Sequence, residues 1–209
     1  MTAINVYKQR PDAGKAESPL FHAGLDELAR KGKSSAGVIL REKKLLGHLI
    51  LRGDGHDSTF SAAVHKALGL ELPSALTLVA DGETSLQWLG PDEWLLIVPG
   101  GSEFEVESKL RAGLAGHHHQ VVNVSGGQTI VELSGPKARE VLMKSSSYDV
   151  HPRNFPVGKA VGTVFAKSQL VIRRTGEDTW ELLVRRSFAD YIWLWLQDAC
   201  AEFGLAIKA

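Results

Sequence analysis

The densest polar cluster in the chain is His117, His118 and His119, in the stretch GHHHQ. Imidazoles are common metal ligands, but three consecutive histidines on a loop do not easily converge on one tetrahedral ion, and neither a cysteine pair nor an HExxH motif accompanies them. The tract reads as a solvated loop ahead of a metal site. GDGHD, residues 53 to 57, offers two carboxylates and a histidine but lacks the spaced oxygens and closing glutamate of a calcium loop, so it reads as a turn before a helix. SGGQ, residues 125 to 128, is too short to cradle a phosphate and precedes a strand, not a helix N-terminus. Cys200 is the sole cysteine, set mid-helix with no histidine near it in sequence, and no GxSxG occurs. It reads as buried filler, and nucleophilic catalysis has no candidate.

Arginines make the second kind of cluster. Arg173 with Arg174, and Arg185 with Arg186, fall on neighbouring predicted strands, where alternation sends one of each pair outward and keeps the other near the inner face. An outward guanidinium can meet carboxylates on another subunit, although solvated charge is the simpler account.

The elements that would position these residues alternate regularly from Val38 onward. VILREK and LLGHLILRG read as strands, and STFSAAVHKALG places Phe60, Val64, Ala67 and Leu68 on one helical face before Gly69. ALTLVA, SLQWLG and EWLLIVP follow as short strands, and Ser102 with Glu105 suggests a capping box on a helix carrying Val106, Leu110 and Leu114. The second half repeats the order: QTIVELSG, a helix opened by Pro136, then VGTVFA, QLVIRR and TWELLVRR, and a closing helix with Phe188, Tyr191, Ile192, Trp195, Leu196, Ala199 and Phe203 on its apolar face. GPDEWLLIV at 90 to 98 and GEDTWELLV at 176 to 184 are near copies, and Gly53, Pro73 and Gly90 recur as Gly135, Pro156 and Gly176. The expectation is an α+β fold of two pseudo-repeated antiparallel sheet-plus-helix subdomains, over residues 21–119 and 120–209, preceded by an extended N-terminal arm at 1–20. Trp94 and Trp180 are core anchors in this reading.

Composition narrows the function classes. With 209 residues, 44% of them apolar, and 24 basic against 24 acidic side chains, nothing draws the chain to nucleic acid or an anionic membrane. The N-terminus carries no apolar core of signal-peptide length, no stretch approaches a membrane span, and a single cysteine fits a reducing compartment, so a cytoplasmic location is expected.

VVNVSGGQTIVELSGPKAREVL resembles the folate-binding domain shared by the glycine-cleavage aminomethyltransferases (T-proteins). More closely, HPRNFPVG at 151 to 158, WLGPDEWLL and VRRSFADYIWLWL resemble the gamma subunit of bacterial heterotetrameric sarcosine oxidase, a likeness running over roughly residues 30 to 204. That resemblance implies an accessory subunit of a complex that demethylates sarcosine oxidatively to glycine, yielding hydrogen peroxide and 5,10-methylenetetrahydrofolate. It implies no catalytic, cofactor-binding or metal residues in this chain; FAD, FMN, NAD, tetrahydrofolate and zinc would sit in partner subunits, the alpha, beta and delta chains. Aminomethyltransferases carry a functional Asp on the strand before the hairpin that matches GEDTW, where this chain has Ser168 and Gln169, and Asn123 stands where their DVS begins with Asp. Asp81 and Glu83, the equivalents in the first half, fall in a predicted turn. The residues expected at the interface are Arg173, Arg174, Arg185, Arg186, Pro152, Arg153 and Phe155. The alternative readings are a stand-alone folate-binding or folate-dependent one-carbon transferase and, third, a metal-binding protein using His117 to His119.

Overall fold

The computed structural model describes residues 16–31 and 36–208. Residues 1–15, the bulk of the expected arm, lie outside the described residues, and the arm's last residues are core. Leu20 and Ser18 are buried, the Ser18 hydroxyl donates to the Glu42 carboxylate at 2.8 Å, and the Leu20 N–H donates to it at 3.2 Å. The Thr129 hydroxyl donates to the same carboxylate at 2.8 Å. A buried carboxylate needs such donors, and this one draws the entering chain against the sheet. A 3-10 turn, Phe21–Ala23, and α1, Leu25–Lys31, follow.

The remaining elements are β1 (Val38–Lys43), β2 (Gly47–Gly53), α2 (Ser58–Leu68), β3 (Leu78–Asp81), β4 (Thr84–Gly90), β5 (Glu93–Val98), α3 (Glu103–Gly113), β6 (His119–Asn123), β7 (Gln128–Ser134), α4 (Ala138–Ser145), β8 (Ala160–Phe165), β9 (Ser168–Gly176), β10 (Thr179–Arg185), α5 (Ala189–Cys200) and β11 (Leu205–Lys208). Helix α2 starts where the Asp57 carboxylate accepts the Thr59 N–H at 2.8 Å, buries Phe60, Val64 and Ala67, and stops at Gly69, whose φ of 75° suits glycine. The capping box expected on α3 is not made. The Ser102 hydroxyl donates to the Pro99 carbonyl instead, at 2.6 Å, and the Glu103 carboxylate accepts the Gly101 N–H at 2.7 Å. Helix α4 begins at Ala138, two residues after Pro136, and the Lys137 N–H just ahead of it, which no helical carbonyl could accept, is taken by the Gly37 carbonyl at 2.9 Å.

Two sheets result, in a mixed α+β fold. One has the order β3-β4-β5-β2-β6 and the other β11-β1-β7-β10-β9-β8. Pairing is antiparallel throughout except β11 on β1, which is parallel and was not anticipated. The leading strand of each sequence half lies in the sheet of the other: β1 pairs with β7, and β6 pairs with β2. A cut at residue 120 therefore severs β6 from its own sheet; hydrophobic alternation identifies strands but not their partners.

The sheets pack face to face through Leu95, Ile97, Ile130 and Leu183. Their outer faces carry the helices. Leu49, Leu51, Trp94, Leu96 and Val121 meet the apolar sides of α2 and α3, and Val131, Leu133, Ile172, Trp180 and Leu182 meet those of α4 and α5. Helix α5 buries Ile192, Trp193, Leu196, Ala199 and Cys200; of the face expected from sequence, Tyr191, Trp195 and Phe203 are only partly buried and Phe188 is exposed. Among the described residues no helix is long and apolar enough to cross a membrane.

Candidate functional site

The structure separates the two arginine pairs. Arg173 and Arg174 on β9 are both buried, whereas Arg185 and Arg186, at the end of β10 and beyond it, are both exposed. Alternation along β9 puts Arg174 on the helix-covered face with Leu170 and Ile172, and Arg173 on the face toward the other sheet with Val171, and both faces are covered. Its guanidinium donates to the carbonyls of Phe155 (2.8 Å), Glu177 (2.7 Å) and Gly176 (3.3 Å) and stacks 5.3 Å from the Trp180 ring. Phe155 is itself fully buried, 5.0 Å from Trp180. Arg173, Arg174 and Phe155 therefore serve the interior, which corrects their expected place at an interface. Arg153 is exposed and Pro152 half-buried.

Arg173 faces the other sheet. Its Nε donates to Glu181 at 2.6 Å and Nη1 to Ser85 at 3.0 Å and Gln87 at 3.3 Å, both on β4, while Lys43 bridges Glu181 and, at 3.3 Å, Glu132. Burial acts to raise the Glu181 pKa, but Arg173 and Lys43 outweigh it and hold the carboxyl below its usual range. The ion pair lies within one sheet, and the hydrogen bonds of Arg173 to Ser85 and Gln87 tie it to the other, while removal of either charge strands its partner. Sequence reading missed this cluster although a signal existed: Glu181 interrupts TWELLV, and Gln87 interrupts SLQWL, at positions where an apolar strand has no need of polarity. His48 was missed too. It is buried between the sheets, neither ring nitrogen makes a hydrogen bond of good geometry, and burial pushes its pKa down to about 4.

The polar tracts flagged from sequence are placed as follows. His117 packs edge-on to Phe60 with Nδ1 3.5 Å from the Asp57 carboxylate, His118 is exposed, and His119 Nδ1 lies 2.9 Å from the His117 carbonyl. His118 and His119 share a shallow cleft of about 760 Å³ with Asp54, His56 and Asp92, so GDGHD and GHHHQ are neighbours in space. Among the described residues no three His, Cys, Asp or Glu side chains form a group that could hold a metal. Burial raises the Cys200 thiol to about 11, which leaves it protonated and unreactive at neutral pH. Ser168 is buried, with its hydroxyl on the Gln169 carbonyl at 3.3 Å, and Asp81 and Glu83 lie exposed at the β3–β4 turn. The Asn123 side chain accepts the Ser125 N–H at 3.0 Å, a turn-forming role.

Two clefts open where the sheets diverge on either side of the central apolar seam. One, of about 550 Å³, is bordered by Arg41, Lys43, Ser85, Arg173 and Glu181. The other, of about 560 Å³, is bordered by Leu89, Leu95, Val164, Leu183, Gln128 and Arg185.

Comparison with known proteins accords with this architecture. Residues 52–202 match the family described as "Sarcosine oxidase, gamma subunit family". The chain is 39% identical over 189 residues to the sarcosine oxidase subunit gamma of Arthrobacter sp., covering 90% of this chain and 91% of that one. It superposes with a TM-score of 0.80 and 35% identity on a chain of the heterotetrameric sarcosine oxidase from Corynebacterium sp. U-96, solved with pyrrole 2-carboxylate, covering 93% of this chain and 99% of that one. The aminomethyltransferase T of the glycine cleavage system from Bartonella henselae is similar in fold, with a TM-score of 0.60 at 16% identity, covering 90% of this chain and 51% of that one.

Proposed function

The chain belongs to the sarcosine oxidase gamma subunit family, and from that premise we propose that it is a non-catalytic accessory subunit, completing a heterotetrameric sarcosine oxidase through contacts rather than chemistry. The observation that carries this is how the buried and half-buried charged side chains are used. Arg173, Glu181, Lys43 and Glu132 answer one another between the sheets, and Glu42 is held by hydroxyls and a backbone N–H. A group tuned for proton transfer or nucleophilic attack is left facing substrate, not spent on a neighbour. FAD, FMN, NAD, tetrahydrofolate and zinc then belong to the alpha, beta and delta subunits, and the assembly is cytoplasmic.

The element order β2-α2-β3-β4-β5-α3 recurs as β7-α4-β8-β9-β10-α5. We read this as an internal duplication in which the copies exchange their leading strands, an exchange that locks the two halves together before any partner arrives.

Purified alone, the chain should show no flavin absorbance and no sarcosine-dependent peroxide formation, and it should co-purify with flavin-containing chains when all subunits are produced together. Turnover by the lone chain would refute the proposal. Titration with tetrahydrofolate separates it from the stand-alone folate-binding alternative, which requires saturable binding to the lone chain.

A further inference from the structure

A sheet edge is a row of unpaired backbone donors and acceptors, and folded proteins cover, charge or shorten it. Three of the four edges here are treated in that way. Helix α1 packs on β11, the Val121 carbonyl of β6 receives the Arg111 guanidinium, and β3 is bridged to the second sheet by Leu78 N–H on the Gly158 carbonyl at 2.8 Å.

The fourth edge, β8, is closed only at its ends. The Ala160 N–H donates to the Leu76 carbonyl at 2.9 Å, and the Ala166 N–H to the Ser145 carbonyl at 2.6 Å. The Arg174 N–H bonds the Lys159 carbonyl, which fixes the parity of the ladder: Val161 and Thr163 face β9, and the N–H and C=O groups of Gly162 and Val164 point outward. Among the described residues these outward groups have no partner. The strand, AVGTVF, carries none of the charges, prolines or bulges that blunt an edge, and Val164 is 49% exposed.

Beside this edge lies the 560 Å³ cleft, floored by Leu89, Leu95, Val171 and Leu183 and rimmed by Gln128 and Arg185. A Cβ built on Gly162 meets nothing within 4 Å, so the face of the strand toward the cleft is unobstructed there. Arg185 is exposed and has no carboxylate partner among the described residues.

We propose that β8 is the docking edge of this subunit: an extended segment of another subunit of the complex adds to it as a strand, hydrogen-bonding Gly162 and Val164, filling the cleft with alternate apolar side chains and placing an Asp or Glu against Arg185. Strand addition supplies affinity through the main chain and selectivity through the pockets for alternate side chains. A second copy of this chain is the poorer occupant, because β8 bears no carboxylate and would leave Arg185 unanswered. The inference rests on the accessory-subunit reading.

The test uses the full chain, alone and co-produced with the other subunits. Amide exchange at Gly162 and Val164 should be fast in the lone chain and slowed roughly tenfold or more in the complex. Val164→Pro removes an outward N–H without touching the rungs to β9, and Arg185→Glu reverses the rim charge; each should weaken retention in the complex about tenfold or more. Met143→Lys, on the exposed side of α4, is the control and should assemble as the parent does. Equal exchange in both states, or undiminished retention of both variants, overturns the proposal. So does a lone-chain dimer abolished by Val164→Pro, which would make a second copy the occupant. Failure of the unmodified chain to assemble at all refutes the accessory-subunit reading and takes the docking edge with it; assembly with indifferent variants refutes the edge alone.

Discussion

The hairpins β4–β5 and β9–β10 share the pattern Gly-x-Asp-x-Trp, yet the tryptophans do different work. Trp94 stands opposite Trp88, lies 6.2 Å from Phe60 under Gly55, and leaves its buried Nε1 without a partner. Trp180 stands opposite Arg174, whose guanidinium lies over its ring and reaches three carbonyls that include one from the 151–158 loop. The same anchor thus fills a core in the first sheet and couples a core to a loop in the second. That loop bridges back to the first sheet through Thr77 and Lys159, so the second hairpin also helps hold the sheets together. An arginine in place of an aromatic partner converts a packing rung into a connection.

The largest expected effects follow from that difference. Trp180→Ala should cost about 3 to 5 kcal/mol, near the upper end because Phe155 and Arg174 lose their common surface, and Trp94→Ala should fall near the lower end. Denaturant unfolding of both variants checks this, and equal losses would break the comparison. Arg174→Met keeps the bulk but withdraws the donors, leaving buried carbonyls unmet at a cost of about 2 to 3 kcal/mol. Amide exchange at Asn154, Phe155 and Gly158 should rise in that variant while the β4–β5 hairpin stays protected. If both hairpins loosen together, Arg174 supports the whole fold and not the loop alone.

A further difference lies five residues before Gly53 and Gly135. There the first sheet has His48 opposite Ile97, and the second has Ile130 opposite Leu183. His48 is held neutral by burial, with Arg173 acting in the same direction and Leu46 and Glu103 only partly opposing it. An unfolded chain takes up that proton near pH 6.5 while the folded chain resists until about 4. Stability from this site is therefore complete above pH 6.5 and lost as pH falls toward 4, by about 2 kcal/mol at pH 5. His48→Ile copies the second sheet's rung. It should abolish that part of the pH dependence and raise stability at neutral pH by roughly 1 kcal/mol, as two unmet ring nitrogens leave the interior. Melting curves of both proteins at pH 7 and pH 5 decide it, and parallel losses in the two would remove His48 from the account.

Which of these differences could be read in the sequence follows from their range. The strands β1, β2, β4, β5, β7, β9 and β10 were legible because alternation is local, and α2 because Phe60, Val64 and Ala67 recur at helical spacing. The exchange of β1 and β6 was not, since pairing between strands so far apart in sequence, such as Gly53 with His119 or Ile39 with Ser134, leaves no mark on either strand. Helix α1 and β11 are short and depend on neighbours for burial, which propensity does not report. Arg173 and Arg174 do alternate between the two faces, but neither reaches solvent, because helices cover the outer face of this sheet and the other sheet covers its inner face, which two strands read alone do not report. Cys200 as filler needed only its helical neighbours, and that reading agrees with its burial.

The smallest expected effect tests the links that follow α3 and α5. After α5, Phe203 lies beneath Lys144, 4.5 Å from its Nζ, and its N–H and carbonyl tie into Cys200 and Gly37. After α3, the corresponding stretch is the histidine tract, where His117 packs on the buried Phe60. His118 is exposed, and among the described residues its side chain makes no hydrogen bond or ring contact. Exposed substitutions of that kind stay within about half a kcal/mol, so His118→Ala should be silent in thermal melting, and added zinc should not shift the parent's melting point. His117→Ala should cost more, about 1 kcal/mol, since it uncovers Phe60 and frees Asp57. A larger loss for His118 than for His117, or a zinc-dependent rise that His118→Ala abolishes, would show that the tract binds something its geometry alone does not reveal.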